Sequence, residues 1–197
     1  NLYLIDDLDH IVQKRTRSGE ILLTIGEKGK PSPWQEGGYF NRPTDVAVDE
    51  FTGDIFVSDG YGNSRIHKFN SKGDHLKSWG KSGSEDGEFS LPHNISIFDK
   101  DKIALCDREN FRVQIFDFDG NYLDQWHFHR PIAIYSDQNE KEVYVAEAGA
   151  PDVQAGVPNL GLRVVIVDEK GDRISSFGKG TLGENPDQFI GPHGMAV

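Results

Sequence analysis

The sequence lacks the features that support disulfide, membrane or nucleic-acid chemistry. A single cysteine, Cys106, excludes an intramolecular disulfide and any cysteine-based metal knuckle. No stretch approaches the roughly 18 apolar residues that a membrane span needs. No run of Lys or Arg is present to neutralise phosphates, and 32 acidic against 21 basic side chains give a formal net charge of −11. We therefore expect a soluble protein with neither a nucleic-acid nor a membrane partner, in which any metal is held by His, Asp, Glu or Tyr.

What the sequence does have is glycine, proline and an internal repeat. Twenty-two Gly, nine Pro and 11% aromatic residues favour many short strands joined by tight turns. A proline followed by an alternating apolar strand recurs four times, beginning at Pro43, Pro92, Pro131 and Pro192. Three more strand patterns follow each of the first three copies. Four short antiparallel strands in every repeat predict the blades of an all-β propeller, with an aromatic or apolar residue at the end of the fourth strand packed between neighbouring blades.

The strand count predicts one propeller domain over residues 1–197. It gives three complete blades, three strands of an earlier blade and the first strand of a later one, or about four blade equivalents. The expected blades cover approximately residues 1–38, 39–85, 86–127 and 128–185, and residues 186–197 begin the next. We expect this chain to be a slice of a larger ring, truncated at both ends.

Two histidines share one phase of the repeat. Residues at one phase face the central channel of a propeller from the same radial position. The residue after the repeat proline is Thr44, His93, Ile132 and His193 in turn, so histidine occurs in every second blade. This alternation places a third histidine upstream of Asn1. In a six-bladed ring three such imidazoles converge and leave coordination positions open, as in catalytic zinc sites. The alternative is that each Pro-His only begins its strand and packs against its neighbours.

Tyr61 and Arg108 break the repeat. Each lies in the loop between the second and third strands of its blade, shortly after Asp59 or Asp107. A phenol beside a metal can act as a base, and an arginine can hold a carboxylate with two hydrogen bonds. The Asn and Arg residues that recur in both loops are more simply interpreted as contacts that stabilise the blade.

Four motifs carry a resemblance to a known family. They are Phe40–Val48, Val57–Arg65, Pro92-His93 and Asp107–Asn110. In order and spacing these motifs resemble the peptidyl-α-hydroxyglycine α-amidating lyases, which are built from NHL repeats. The resemblance is strongest from Phe40 to Phe116. Pro158–Gly161 is similar to a segment of bacterial chains that resemble the family.

The resemblance implies a six-bladed propeller with zinc in its central cavity. His93 and His193 would be two zinc ligands, and the third would precede Asn1. Tyr61 matches the catalytic tyrosine of the family, and Arg108 matches an arginine that orients the substrate carboxylate. The implied reaction is that of a carbon–nitrogen lyase, which cleaves a peptidyl-α-hydroxyglycine, or a related N-acyl hydroxyglycine, to an amide and glyoxylate. A peptide or small-molecule substrate, a monooxygenase partner and a secreted or extracytoplasmic location are expected on the same ground.

Two departures and two other function classes stand beside this interpretation. Gly194 occupies the position of an aspartate that binds a structural calcium in the family, so calcium is not expected here. The loop from Glu147 to Gly161 also differs, and it could reshape substrate access.

One alternative class is a non-catalytic NHL propeller that binds a protein or peptide on one face. The other is a propeller hydrolase or lactonase with a metal in the same channel, although such sites favour carboxylate and Asn ligands.

Overall fold

The computed structural model describes residues 1–36, 38–136, 141–154 and 156–195. Every regular element in these ranges is a β-strand, apart from single 3₁₀ turns at Arg108–Asn110 and Asp152–Gln154. The all-β prediction is confirmed. None of these residues belongs to a helix long and apolar enough to cross a membrane.

Four antiparallel sheets follow one another along the described chain, and within each sheet neighbouring strands are consecutive in sequence. The first sheet contains β1 Leu2–Asp6, β2 Ile11–Arg15 and β3 Ile21–Ile25, and the second contains β4 Asp45–Val48, β5 Ile55–Asp59, β6 Arg65–Phe69 and β7 His75–Trp79. A short parallel pair follows, β8 Lys81–Ser82 and β9 Glu88–Phe89. The third sheet contains β10 Pro92–Phe98, β11 Lys102–Asp107, β12 Arg112–Asp117 and β13 Tyr122–His127, and the fourth contains β14 Pro131–Ser136, β15 Val143–Glu147, β16 Arg163–Val167 and β17 Arg173–Phe177.

The hairpin between the third and fourth strands has the same construction in three sheets. Its first residue is Asn70, Asp117 or Asp168, and the side-chain oxygen of that residue accepts backbone N–H groups two and four residues further on. The fourth residue of each hairpin is a glycine with a φ of +77° to +86°, which an L side chain rarely adopts. These glycines are Gly73, Gly120 and Gly171. The turn chemistry therefore repeats with the strands.

The described chain divides into two compact units, Asn1–Ile95 and Ser96–Val197, so the prediction of one domain stays a prediction. In the first unit, apolar side chains of the first and second sheets form one core. Its buried members are Val12, Ile25, Phe40, Ile55, Val57 and Phe69. In the second unit the core is shared by the third and fourth sheets and includes Phe98, Cys106, Val113, Trp126, Val145 and Val165. Each large side chain buried in this way contributes about 1.5–3 kcal/mol.

The residues that close the fourth strands behave differently. Trp126 is 6% exposed and packs edge-on against Phe98, with 5.6 Å between ring centroids, as predicted for a core aromatic. Phe177 is 50% exposed and lies 6.3 Å from the ring of Phe189, because its neighbour is an irregular segment rather than a sheet. Residues 191–195 form no strand, and Ala196 and Val197, the end of the strand predicted there, lie outside the described residues.

Candidate active site

Tyr61 and His93, which are 32 residues apart in sequence, meet in the first unit. Tyr61 lies in the loop after β5, and His93 is the second residue of β10. The Tyr61 hydroxyl lies 2.9 Å from His93 Nε2. The two rings meet edge to face, with centroids 5.5 Å apart and an interplanar angle of 77°. A hydrogen bond therefore joins the predicted base to a predicted metal ligand.

Gly60 allows the tyrosine loop to approach β10. A Cβ at residue 60 would overlap the carbonyl oxygen of Pro92, so only glycine fits beneath the start of this strand. The backbone N–H of Tyr61 donates to the carbonyl of Arg42 at 3.2 Å, and that of Gly62 donates to the carbonyl of Asn41 at 3.0 Å. The loop is therefore held on both sides of Tyr61.

His93 is enclosed by hydrogen bonds. Its side chain is buried, with 1% of the residue exposed. Ser58 Oγ donates to the His93 carbonyl at 2.6 Å, and the ring Nδ1 lies 2.6 Å from Asn94 Oδ1. A histidine ring whose second nitrogen is held by an oxygen has the arrangement usual for metal-ligating histidines.

Asp45 lies behind Asn94. Its carboxylate accepts the backbone N–H of Ile95 at 3.0 Å and a hydrogen bond from the Asn94 side chain. Burial raises the pKa of Asp45 to about 6, although hydrogen bonds from Ile95, Val46 and Asn94 lower it in part.

Arg42 adds positive charge to this site. Its guanidinium carbon lies 5.3 Å from the centroid of the Tyr61 ring. Asp7 holds the guanidinium in place, with Oδ2 2.7 Å from Nη2 and 3.2 Å from Nε. Arg42, Asp45 and Asn94 were not predicted from the sequence as site residues. Asp45 and Asn94 do share one repeat phase, directly after Thr44 and His93, and this was the available signal.

Arg108 lies in the second unit and shares a carboxylate with Arg130. Its side chain is 17% exposed, and its Nε donates to Glu109 Oε1 at 2.7 Å. Arg130 donates to both oxygens of Glu109, at 2.8 and 3.2 Å, and to the carbonyl of Gly149 at 2.8 Å. Burial alone would raise the pKa of Glu109, but the hydrogen bonds from Arg130 and Arg108 outweigh burial and hold that pKa below its usual range. Glu109 and Arg130 were not predicted from the sequence, although Glu109 follows Asp107 at the same distance as Tyr61 follows Asp59.

The predicted metal ligands differ in their surroundings. His93 has the Nδ1 orientation by an oxygen that is usual for a metal ligand, and its Nε2 is hydrogen-bonded to the Tyr61 hydroxyl. His193 is exposed and lies in an irregular segment. Within the described ranges no three His, Cys, Asp or Glu side chains lie close enough together to hold a metal ion. Zinc therefore stays a prediction.

Comparison with known proteins identifies the repeat. The NHL repeat family matches residues 40–69 and 89–116, which contain Tyr61, His93 and Arg108. Peptidyl-alpha-hydroxyglycine alpha-amidating lyase 1 of Drosophila melanogaster is 32% identical over the whole of this chain, which covers 38% of that protein. Peptidyl-glycine alpha-amidating monooxygenase A of Xenopus laevis is 37% identical over 64% of this chain, which covers 14% of that protein. This chain is an NHL-repeat relative of the amidating lyases.

The NHL repeats agree with the likeness to solved structures. A structure of virginiamycin B lyase from Staphylococcus aureus with quinupristin matches 98% of this chain and 54% of that chain, with a TM-score of 0.63 and 15% identity. At this identity the match concerns the fold alone, and together with the NHL repeats it confirms the predicted β-propeller class. This NHL-repeat chain spans well under half the length of the two curated relatives described above.

Proposed function

We propose that this protein is a lyase that cleaves a peptidyl-α-hydroxyglycine, or a related N-acyl hydroxyglycine, to an amide and glyoxylate. The observation that carries the proposal is the 2.9 Å contact between Tyr61 and His93. The relatives named as amidating lyases support the same reaction class. A hydroxylating monooxygenase partner that supplies the hydroxyglycine, and a secreted or extracytoplasmic location, belong to the same proposal.

Tyr61 is the proposed proton acceptor. In the reaction the substrate hydroxyl loses its proton, its oxygen forms the aldehyde of glyoxylate, and the bond between the α-carbon and the amide nitrogen breaks. The nitrogen leaves with the bonding electron pair and takes up a proton, which completes the amide. Once the Tyr61 hydroxyl has given up its own proton, the phenolate can accept the first proton and return it to the nitrogen, provided that it is held close to the substrate hydroxyl. The close packing of Gly60 and the hydrogen bond from the Tyr61 N–H to the Arg42 carbonyl hold Tyr61 in one place for proton transfer.

Arg108 is the proposed binding residue for the glycine carboxylate. Its Nε–H is engaged by Glu109, and a guanidinium carries five N–H donors, so further donors serve a second carboxylate. The shared Glu109 also fixes the direction of the side chain. Hydrogen bonds from Arg108 to the glycine carboxylate would orient the hydroxyglycine and align the bond between its α-carbon and the amide nitrogen for cleavage.

His93 and His193 are the residues of this chain that would hold zinc. Bound zinc supplies a Lewis acid, which polarises the substrate and makes its hydroxyl proton easier to remove. The chain itself supplies the orientation of His93 through Asn94 and the placement of Tyr61. A scaffold that binds a protein partner has no need for a buried imidazole joined to a phenol, and His93 is 1% exposed.

Glyoxylate release tests this proposal. The purified protein is incubated with an N-acyl-α-hydroxyglycine, with and without a chelator and zinc add-back, and glyoxylate is measured. We expect release above the spontaneous rate, a loss with chelator, and recovery with zinc. His93→Gln should abolish both zinc binding and release, whereas the exposed His127→Gln, a matched control, should change neither. A folded, zinc-loaded protein that releases no glyoxylate contradicts the proposal and favours a binding role.

A further inference from the structure

We propose that Asn94, itself oriented by Asp45, is a positioning residue that fixes the tautomer of His93 and directs its Nε2 lone pair towards Tyr61. The inference concerns the same site as the proposed function and rests on it for its catalytic consequence. The tautomer itself is a property of the protein without substrate. The chain of contacts runs from Asp45 through Asn94 and His93 to Tyr61.

The orientation of the Asn94 amide follows from Asp45. The Asn94 side chain donates a hydrogen bond to the Asp45 carboxyl, and the NH₂ is the only donor group of an amide side chain, so the NH₂ faces Asp45. The amide oxygen then faces the other way, where it lies 2.6 Å from His93 Nδ1. Asp45 is held in turn by the backbone N–H of Ile95 at 3.0 Å.

The tautomer of His93 follows from Asn94. Because the Asn94 oxygen only accepts hydrogen bonds, the neutral imidazole must carry its proton on Nδ1. Its lone pair is then on Nε2, which lies 2.9 Å from the Tyr61 hydroxyl, so Tyr61 must be the donor in that bond. A metal ion and the Tyr61 proton compete for this single lone pair. Metal binding at His93 therefore requires the Tyr61 proton to leave Nε2.

An amide is the side chain that this position requires. Only a group that both accepts from His93 and donates to Asp45 satisfies both neighbours, and Asn does so with one carbonyl and one NH₂. An apolar side chain would leave the buried Nδ1–H and the Asp45 carboxylate without these partners. The sequence agrees with this requirement. Asp45 and Asn94 occupy the same repeat phase in neighbouring blades, and the second of them is an amide that can donate to the first.

Histidine side-chain NMR tests the inference directly. Long-range nitrogen–proton correlation spectra distinguish the two neutral tautomers, and His93→Gln assigns the His93 signal among the seven histidines. We expect wild type to show the Nδ1-protonated form. Asn94→Leu should convert His93 to a mixture of tautomers. Asn94→Asp combined with Asp45→Asn should keep the Nδ1-protonated form, because the carboxylate at residue 94 accepts from His93 and the amide at residue 45 donates to that carboxylate. Asn110→Leu is the matched control, since Asn110 donates to Asp107 in the other unit, and it should leave His93 unchanged.

Activity gives the second readout. Asn94→Leu should lower zinc affinity and kcat for glyoxylate release by about 10–100-fold, the usual size of an effect on a residue that orients a ligand. Asn94→Asp combined with Asp45→Asn should recover most of that loss. If Asn94→Leu does not fold, Asp45→Asn tests the inference instead. The amide at residue 45 still accepts the Ile95 N–H, but it no longer fixes the orientation of the Asn94 amide. A mixture of His93 tautomers is therefore expected.

The failures of the two proposals are distinguishable. A wild-type protein that shows the Nδ1-protonated His93 but releases no glyoxylate contradicts the lyase and supports the positioning inference. If the wild type is active and Asn94→Leu keeps both the His93 tautomer and the rate of glyoxylate release, the positioning inference alone is overturned. An Nε2-protonated His93 in wild type also overturns it.

Discussion

The second and third sheets contain the same buried carboxylate, but different partners satisfy it. Asp59 and Asp107 both end the second strand of their sheet, and both are fully buried. Asp107 accepts hydrogen bonds from Asn110 at 2.8 Å, Arg112 at 2.9 Å and Gln114 at 3.0 Å. The charge of Asp107 is therefore compensated by a permanent cation within its own sheet.

Asp59 has no arginine among the hydrogen-bond partners found in the described ranges. It accepts the backbone N–H of Asn41 at 2.9 and 3.0 Å and the amide of Asn63 at 2.9 Å, and His67 Nε2 lies 3.3 Å away. The corresponding Arg65 donates instead to the carbonyl of Gly80 at 2.9 Å.

The two sheets share the residue that stabilises this loop but differ in the residue that can take part in chemistry. The repeated carboxylate stabilises the loop after the second strand in both sheets, whereas the residue two positions later differs. In the second sheet that residue is Tyr61, which contacts His93, and in the third sheet it is Glu109, which binds two arginines. In these two loops the repeated aspartate stabilises the scaffold, and Tyr61, which differs from its counterpart Glu109, belongs to the candidate site.

The largest expected effect comes from breaking the buried ion pair. Asp107→Asn should lower the free energy of unfolding by about 3–5 kcal/mol, because Arg112 stays buried without its counter-charge. Asp59→Asn should cost less, about 1–3 kcal/mol, because its main donors are neutral N–H groups. Denaturant unfolding followed by circular dichroism measures both. Equal losses would show that the two carboxylates are stabilised in the same way.

Gly60 gives the next largest effect. Gly60→Ala should lower the free energy of unfolding by about 1–3 kcal/mol and displace Tyr61 from His93, because the added methyl overlaps the Pro92 carbonyl. Gly191→Ala is the control, since no atom lies within 4 Å of an added Cβ there, and it should stay within about 0.5 kcal/mol of wild type. A Gly60→Ala protein with wild-type stability and activity would contradict the close packing of this loop.

Asp45 predicts an unusual pH dependence in the second sheet. Its pKa is raised to about 6 from an ordinary value of 3.8, so the folded state binds the proton more tightly than the unfolded state. The resulting stabilisation is complete below about pH 3.8 and is lost as the pH rises through about 6. Asp45→Asn should remove this component, on the order of 1 kcal/mol, from the difference between unfolding free energies at pH 5 and pH 7.5. An unchanged difference would contradict the burial of this carboxyl.

Glu109 predicts a smaller effect with the opposite sign. Its pKa lies below the ordinary value of 4.5, so its stabilisation is present above about pH 4.5 and is lost as the pH falls through the lowered pKa. Glu109→Gln should lower the free energy of unfolding at pH 7 by under about 1 kcal/mol, because the carboxylate is 32% exposed. This difference from wild type should shrink in acid. Melts at pH 7 and pH 3 measure it, and a difference that grows in acid would exclude the ion pairs as its cause.

The sequence predicted the parts of this structure that depend on local periodicity. The strand patterns and the turns around Gly73, Gly120 and Gly171 repeat with the chain, so four similar sheets could be predicted. Tyr61 and Arg108 were identified because they break the repeat.

The remaining site contacts depend on side chains that are distant in sequence. Asp45 and Asn94 are 49 residues apart, and the Arg42–Asp7 ion pair spans 35 residues, so neither contact has a local signature. The partial exposure of Phe177 likewise depends on what packs beside it rather than on its own strand.

The most direct test of the account is the rate of glyoxylate release by Tyr61→Phe, measured beside wild type and the control Tyr39→Phe. Tyr39 is 53% exposed and should be replaced without effect. Removing the Tyr61 hydroxyl should lower kcat by about 10²–10⁴-fold, the usual contribution of a general acid or base, while zinc content and folding stay unchanged. A Tyr61→Phe protein that releases glyoxylate at the wild-type rate would contradict the central claim that the Tyr61–His93 pair carries the chemistry.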